Sequence, residues 1–223
     1  MAESSPAHTF LFADLAGFTA LTEAMGDEDA AGLVSDFVEE VRALLADHGA
    51  EQIKAIGDAL LIRAERADRA VELGARIVQD VGGRHYFPAV RVGMHTGPAV
   101  ERNGDWFGHT VNIAARVSAE ASGGEVLLTE ATRSAAGCVE RIEFRERGRR
   151  QLRNIAEPLL LFAAVREGAS AGGGLPIDPV CRMAVDPAHA AGRLTYEASA
   201  YYFCSLDCVH KFAAEPERYA ASG

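Results

Sequence analysis

Hydrophobic and polar positions change their period several times along the chain, and each change predicts an element. Residues 7–14, Ala-His-Thr-Phe-Leu-Phe-Ala-Asp, are a short apolar run ending in a carboxylate, which reads as a buried strand. Gly17-Phe18-Thr19 opens a short helix to about Met25. Gly26-Asp27 breaks it, with Asp27 as the expected N-cap of a second helix running to about His48. In that helix Ala30, Val34, Phe37, Val38, Val41, Leu44 and Leu45 recur at helical spacing and make one apolar face. Gln52–Ile56 and Ala59–Arg63 predict two strands joined by a tight hairpin at Gly57-Asp58. Ala67–Val81 predicts a helix. Ala89–Val100 is a strand region in which Val90, Val92 and Met94 alternate. Asn103-Gly104 marks a turn, Thr110–Ala121 a helix, Glu125–Leu128 a strand and Glu130–Ala136 a short helix. Residues 141–146 and 159–165 are expected to close the sheet.

The order β-α-α-β-β-α-β, followed by further elements, predicts an α+β fold on a mostly antiparallel sheet. After Val165 the composition shifts. Residues 167–174, Glu-Gly-Ala-Ser-Ala-Gly-Gly-Gly, read as a flexible linker, and a compact segment occupies 175–223.

Composition narrows the function. The chain is 48% hydrophobic and 24% charged, which suits a globular core, and its formal net charge is -10. Such acidity argues against nucleic acid, which normally meets a basic face, and against an anionic membrane surface. It leaves ATP open, because Mg²⁺ can carry the local positive charge. The longest apolar run, Pro158–Val165, falls far below the roughly 18–20 residues of a membrane span. The opening six residues lack the pattern of a signal peptide, so a cytoplasmic protein is expected. Cys138 stands alone, whereas Cys181, Cys204 and Cys208 cluster near the end; in a cytosolic chain such a trio suggests a metal before a disulfide. Only Lys54 and Lys211 are lysines, against twenty arginines, so each lysine invites a specific explanation.

Three features carry candidate chemistry. Asp14 closes the first strand and Asp58 sits in the hairpin, so adjacent central strands would bring both carboxylates to one edge. There they could bind two hard cations, as phosphoryl transfer without a protein nucleophile requires. Taken singly, Asp14 as a helix cap and Asp58 as a turn residue are at least as good a reading. Asn112 and Arg116 are four apart on a predicted helix and share a face suited to a ribose and a phosphate, though for the pair alone a solvated face is the better reading.

Together these features resemble class III adenylate and guanylate cyclases. Phe12-Ala13-Asp14-Leu15-Ala16-Gly17-Phe18-Thr19 is similar to the opening motif of that family, and Ile53-Lys54-Ala55-Ile56-Gly57-Asp58-Ala59-Leu60 to its second. Asp105 to Arg116 resembles the third, Val92-Gly93-Met94-His95-Thr96-Gly97 the strand between, and Gly148–Phe162 the closing segment. The resemblance spans roughly residues 7–166 and implies a ferredoxin-like βααββαβ palm domain. It implies metal binding (Mg²⁺ or Mn²⁺, two per site) by Asp14 and Asp58, and adenine selection by Lys54 and Asp105. It implies ribose orientation by Asn112 and transition-state stabilisation by Arg116. The implied reaction is attack of the ribose 3′-oxygen of ATP on the α-phosphorus, giving cyclic AMP and pyrophosphate. The implied assembly is a head-to-tail homodimer in which one subunit supplies the aspartates and the other the remaining residues. The short turn at Glu101–Gly104 replaces a longer arm of many relatives. His95 and His109 are expected to pack rather than react.

The C-terminal segment resembles the YHS domain. The resemblance lies in Asp178-Pro179-Val180-Cys181-Arg182-Met183-Ala184-Val185-Asp186-Pro187 and in Tyr201-Tyr202-Phe203-Cys204-Ser205-Leu206-Asp207-Cys208-Val209-His210-Lys211-Phe212. The family usually has Gly where Arg182 stands. Cys204 and Cys208, at i and i+4, would share one face of a helix start, with Cys181 arriving from a preceding knuckle. Three thiolates favour Zn²⁺ or copper as Cu(I), with His210, His189 or water as a fourth ligand. The competing reading makes the cysteines small hydrophobes of a mini-core. Three functions follow: an adenylate cyclase responsive to metal or redox state through its tail, a catalytically silent nucleotide-binding or dimerisation scaffold, or a metal-handling protein with a regulated cyclase domain.

Overall fold

The computed structural model describes residues 6–85, 87–167 and 175–220. The first apolar run is strand β1 (Ala7–Leu15), followed by helices α1 (Phe18–Met25) and α2 (Asp27–Leu45). Then come β2 (Ala50–Ile56), β3 (Ala59–Ala64), α3 (Ala67–Arg76), which runs on through a wider helical turn at Ile77–Val81, and β4 (Val90–Pro98). The short strands β5 (Val100–Arg102) and β6 (Asp105–Phe107) form a hairpin ahead of α4 (His109–Glu120). The unit closes with β7 (Val126–Thr129), α5 (Glu130–Ala136), β8 (Ile142–Arg150) and β9 (Leu159–Arg166).

One seven-stranded sheet, in the order β2-β3-β1-β4-β7-β9-β8, forms the centre. Every neighbouring pair is antiparallel except β4–β7, as the mixed α+β reading requires. Side chains alternate across the strands. Leu11, Ala13 and Leu15 of β1 join Leu60 and Ile62 of β3 and Val92 and Met94 of β4 under α2 and α3. Phe10 and Phe12 point the other way and pack with Leu61, Val111 and Ala114 under α4. By the same alternation Asp14 belongs to the face that α4 covers.

The boundaries depart from the sequence reading at a few points. Gly26, at φ 94°, caps α2, and Asp27 is its first residue, because only glycine adopts that backbone without strain. The helix ends at Leu45 and tightens into one narrow turn, Ala46–His48, closed by left-handed Gly49. The strand expected over 89–100 ends at Pro98, and the last strand pair runs longer than the apolar pattern, to Arg150, past an irregularity between Glu146 and Gly148. The linker reading at 167–174 lies outside the described residues from 168 on.

The C-terminal segment folds as a hairpin, β10 (Gly192–Tyr196) and β11 (Ser199–Phe203), followed by α6 (Leu206–Ala214) and α7 (Pro216–Ala220). Val180, Cys181, Phe203, Cys208 and Phe212 are its buried cluster, and Ala24 of α1 packs against it. No helix among the described residues is long and apolar enough to cross a membrane.

The approach of α4 to β4 depends on one glycine. A Cβ on Gly93 would stand 1.9 Å from the backbone nitrogen of Ser118. Backbone cannot rotate away as a side chain can, so α4 would have to lift from the sheet. Gly93→Ala is expected to cost roughly 2–3 kcal/mol, read as a lower midpoint in urea denaturation; an unchanged midpoint would contradict this packing.

Candidate functional site

β1 and β3 pair so that Asp14 stands opposite Ala59, which places Asp58, at the β2–β3 corner, beside it. The corner is a two-residue loop closed by Ile56 opposite Ala59, and its first residue, Gly57, has φ 62°. Glycine supplies that positive φ and leaves Asp58 the second position. Burial pushes the Asp58 carboxyl up to about 6, helped by the negative charge of Asp14 and a side-chain hydrogen bond between the two carboxyls. Two like charges so close need a countercharge. Part of it is Arg91, directly across from Asp14 in the β1–β4 register, which donates to Asp14 Oδ2 from Nε (2.7 Å) and Nη2 (2.5 Å). A half-buried carboxylate pair with all-oxygen donors fits hard divalent cations. Arg91 was not singled out in the sequence; the only signal was its place just before Val92–Gly97.

Lys54 of β2 and Asp105 of β6, 51 residues apart, meet as an ion pair at 2.5 Å. The hydrogen bond from Lys54 holds the Asp105 carboxyl below its ordinary range. Asp105 Oδ1 also accepts from the Trp106 backbone N–H at 2.8 Å, which fixes its rotamer. The ammonium lies 5.8 Å from the centre of the Phe107 ring. On α4, Val111, Ala114 and Val117 face the sheet while Asn112 and Arg116 share the exposed side. Among the described residues, no hydrogen bond or ion pair joins Asp14 or Asp58 to Lys54, Asp105, Asn112 or Arg116. Asp14 with Arg91, and Lys54 with Asp105, are thus two separately bonded pairs.

His95 donates to or accepts from Thr129 Oγ1 at 2.7 Å, and burial, with the nearby His109, lowers its pKa to about 4. It is a neutral packing residue, while His109 is exposed at the start of α4.

In the C-terminal unit the thiols of Cys181 and Cys204 lie 3.3 Å apart and those of Cys204 and Cys208 3.9 Å. With a carboxylate oxygen of Asp178, all four donor atoms fall within 4.8 Å of one another. Hydrogen bonds from Cys181 and Cys204 pull the Cys208 thiol down, and those with Cys204 and Cys208, together with burial, push Cys181 up. That electron-rich set fits a soft or borderline cation. Neither histidine considered as a fourth ligand belongs to the set: His189 is bonded to Asp186 at 2.7 Å, and His210 is not among the four. Asp178 was missed by the sequence reading. It is fully buried and accepts from the backbone N–H groups of Val180 (2.8 Å) and Cys204 (2.8 Å), which tie the two halves of the cluster together. Oδ1 also accepts from the Cys181 N–H at 3.4 Å, while Oδ2 keeps a second lone pair. Cys204 also lies outside the helix expected to carry it. It ends the strand side of the corner, and Ser205 caps α6 by accepting from the Cys208 N–H.

Comparison with known proteins agrees with this architecture. The family model of the adenylate and guanylate cyclase catalytic domain matches residues 1–162, and that of the YHS domain residues 177–222. A pH-sensitive adenylate cyclase of Mycobacterium tuberculosis is 36% identical over 168 residues, covering 74% of this chain and 42% of that protein. An adenylate cyclase of Streptomyces griseus is 38% identical over 117 residues, 52% of this chain and 29% of that protein. The chain therefore spans less than half the length of these relatives. Among solved structures, an adenylate cyclase of Trypanosoma brucei in its monomeric state superposes with a TM-score of 0.67 at 22% identity, over 75% of this chain and 92% of that one. The chain belongs to the adenylate and guanylate cyclase catalytic-domain family and carries a YHS domain behind its cyclase fold.

Proposed function

We propose that this protein is an adenylate cyclase that converts ATP to 3′,5′-cyclic AMP and pyrophosphate at sites shared between two copies of the chain. In this reading residues 1–166 are the catalytic unit, 167–174 a linker and 175–223 a metal-binding module. The observation that carries the proposal is that no hydrogen bond or ion pair among the described residues joins the two carboxylates to the other four residues. Asp14, Asp58 and Arg91 interact with one another and Lys54 with Asp105, while Asn112 and Arg116 are exposed on α4. Neither set is a complete site, and a head-to-tail twofold would bring the first set of each copy against the second set of the other. Ile56, Val100 and Phe107, each about half exposed, support such a contact around Lys54, since large apolar side chains there are otherwise left in water.

The roles follow from the donor chemistry. Lys54 donates to adenine N1 and Asp105 accepts from the exocyclic amino group. Guanine presents a donor at N1 and an acceptor at position 6, so both contacts would fail. Asn112 orients the ribose. The 3′-oxygen forms its bond to the α-phosphorus, the bond to the bridging oxygen of pyrophosphate breaks, and the 3′-hydroxyl proton passes to solvent. Arg116 meets charge growing on the phosphoryl oxygens, a contribution of roughly 3–4 kcal/mol. Asp14 and Asp58 would hold two Mg²⁺ or Mn²⁺ ions, whose chemistry is to acidify the 3′-hydroxyl and neutralise the triphosphate. Arg91 would then turn from Asp14 to a phosphate oxygen. Cys181, Cys204 and Cys208 with Asp178 would hold Zn²⁺ or Cu(I), through which metal or redox state acts on turnover. A cytoplasmic location follows from ATP and from reduced thiols.

The shared site has a direct test. Asp58→Ala and Arg116→Ala should each lower cyclic AMP formation by roughly 10²–10³-fold. Mixed in equal amounts, they should recover up to about a quarter of wild-type activity, because half the dimers are mixed and each has one intact site. Two dead variants that stay dead when mixed, with dimers demonstrated, would refute it.

The Asp58 carboxyl predicts two opposite pH effects. Its folded value of about 6 lies above its ordinary value, so protonation competes with cations, and Mn²⁺ affinity measured by titration should fall as pH drops through 6. Metal-free stability has the other sign: the folded state binds more protons, so this group makes the fold less stable as pH rises from about 4 to 6. Asp58→Asn removes that penalty and should gain on the order of 1 kcal/mol above pH 6 and nothing below pH 4. Parallel denaturation curves across this range would contradict it.

A further inference from the structure

Arg182 follows Cys181 directly and has φ 68°, a left-handed backbone that glycine adopts without cost and arginine does not. Its side-chain stem lies on Gly17, three residues beyond Asp14. A Cβ on Gly17 would stand 2.3 Å from Arg182 Cγ, 2.8 Å from its Cβ and 3.4 Å from its Cδ. Gly17 is itself at φ 77° and heads α1, its carbonyl accepting from Leu21. A strained arginine thus rests on a bare stretch of backbone at the start of the loop that leaves Asp14.

A second connection runs beside this contact. The turn 178–183 is closed by Arg182 N–H to Asp178 O (2.9 Å) and Asp178 N–H to Met183 O (2.8 Å). Ala184 N–H then donates to Phe87 O (2.9 Å), and Met183 pairs with Pro88 as an isolated antiparallel bridge. Two residues on, Ala16 N–H donates to Ala89 O (2.7 Å), and Arg91 pairs with Asp14. The backbone therefore links the knuckle bearing Cys181, through 87–89, to the turn that follows β1 and Asp14. Between the two modules lies a cleft of about 720 Å³ whose wall includes Gly17, Arg91, Arg182 and Tyr202.

We propose that Arg182 is a positioning residue that couples occupancy of the three-thiol site to the order of the Ala16–Gly17 turn between β1 and α1, so that the metal-loaded module braces the backbone that follows Asp14. This rests on the cyclase reading for its consequence in catalysis, but not for the coupling itself. A metal ion drawing Cys181, Cys204 and Cys208 together fixes the 178–183 turn. Arg182 is part of that turn, and its stem transmits the restraint to Gly17. Without the ion the turn is held by fewer bonds, and the loop loses its brace.

The test uses the full-length chain with Zn²⁺ as the probe, read by amide hydrogen exchange over residues 15–21 and, in parallel, by the KM for ATP with Mn²⁺. In the wild type, one bound Zn²⁺ should slow exchange in this segment at least about fivefold and lower KM by a similar factor. Arg182→Gly, which suits the left-handed backbone and so should fold, should bind Zn²⁺ with the same stoichiometry yet lose both responses. Arg182→Met keeps the stem without the charge and should retain the slowed exchange. An exchange response in Arg182→Gly equal to wild type, its loss in Arg182→Met, or no Zn²⁺ uptake or no exchange response in the wild type would each overturn the proposal. Absence of cyclic AMP with the exchange result intact would defeat the cyclase reading and leave the coupling standing.

Discussion

The arrangement of the cyclase unit turns on two carboxylates held side by side. Asp14 and Asp58 are brought together by strand register and a two-residue corner, and the charge of Asp14 adds to the burial that raises Asp58. A fold keeps such a pair only where the surrounding strands over-determine it. Here β1 is fixed on both sides, to β3 and to β4 along its whole length, so Asp14 cannot retreat. Arg91 offsets part of the repulsion from the strand opposite, and a divalent cation would offset the rest. The pair suits a cation because the sheet forbids it from relaxing.

α4 imposes the second constraint. It must lie close on β4, closely enough that position 93 has no room for a methyl group, and this spends its apolar side entirely on the sheet. Asn112 and Arg116 are left facing outward at a fixed height above the surface. An amide and a guanidinium on a helix held this close to the sheet, yet without a side-chain hydrogen-bonding partner among the described residues, are available to something outside the chain. That is the geometric reason a second copy enters the proposed mechanism.

Much of this was legible in the sequence, for a reason that also marks the limit. Strands such as β1 and β3 and the corner at Gly57-Asp58 follow from apolar runs and turn chemistry that act within a few residues. The six motif positions were found by resemblance, because no local rule joins Lys54 to Asp105 across 51 residues. Arg91 escaped notice as one of twenty arginines; its meaning comes from standing opposite Asp14, and register is a property of the sheet rather than of either strand. Asp178 escaped because its role depends on backbone N–H groups of Val180 and Cys204, one near and one far along the chain. Asp27 was misread as a cap because its chemistry suits one, while the glycine before it already supplied the turn.

The seat of the YHS module is best understood from its size. Its buried cluster is Val180, Cys181, Phe203, Cys208 and Phe212, and two of the five are candidate metal ligands. A core so small supplies little stability by apolar burial alone, and segments of this length ordinarily need a metal, a disulfide or a partner surface. This module has thiols rather than disulfides among its described residues, and it leans on the cyclase through Ala24, Gly17, Phe87, Pro88 and His85, whose Nδ1 accepts from the Asp186 N–H at 2.9 Å. Its fold and its docking are therefore one equilibrium. Any ligand that binds the folded module more tightly than the unfolded one shifts that equilibrium toward the docked state by its own binding free energy. In the proposed coupling the shift is felt on the backbone between β1 and α1, where the Arg182 stem lies on Gly17.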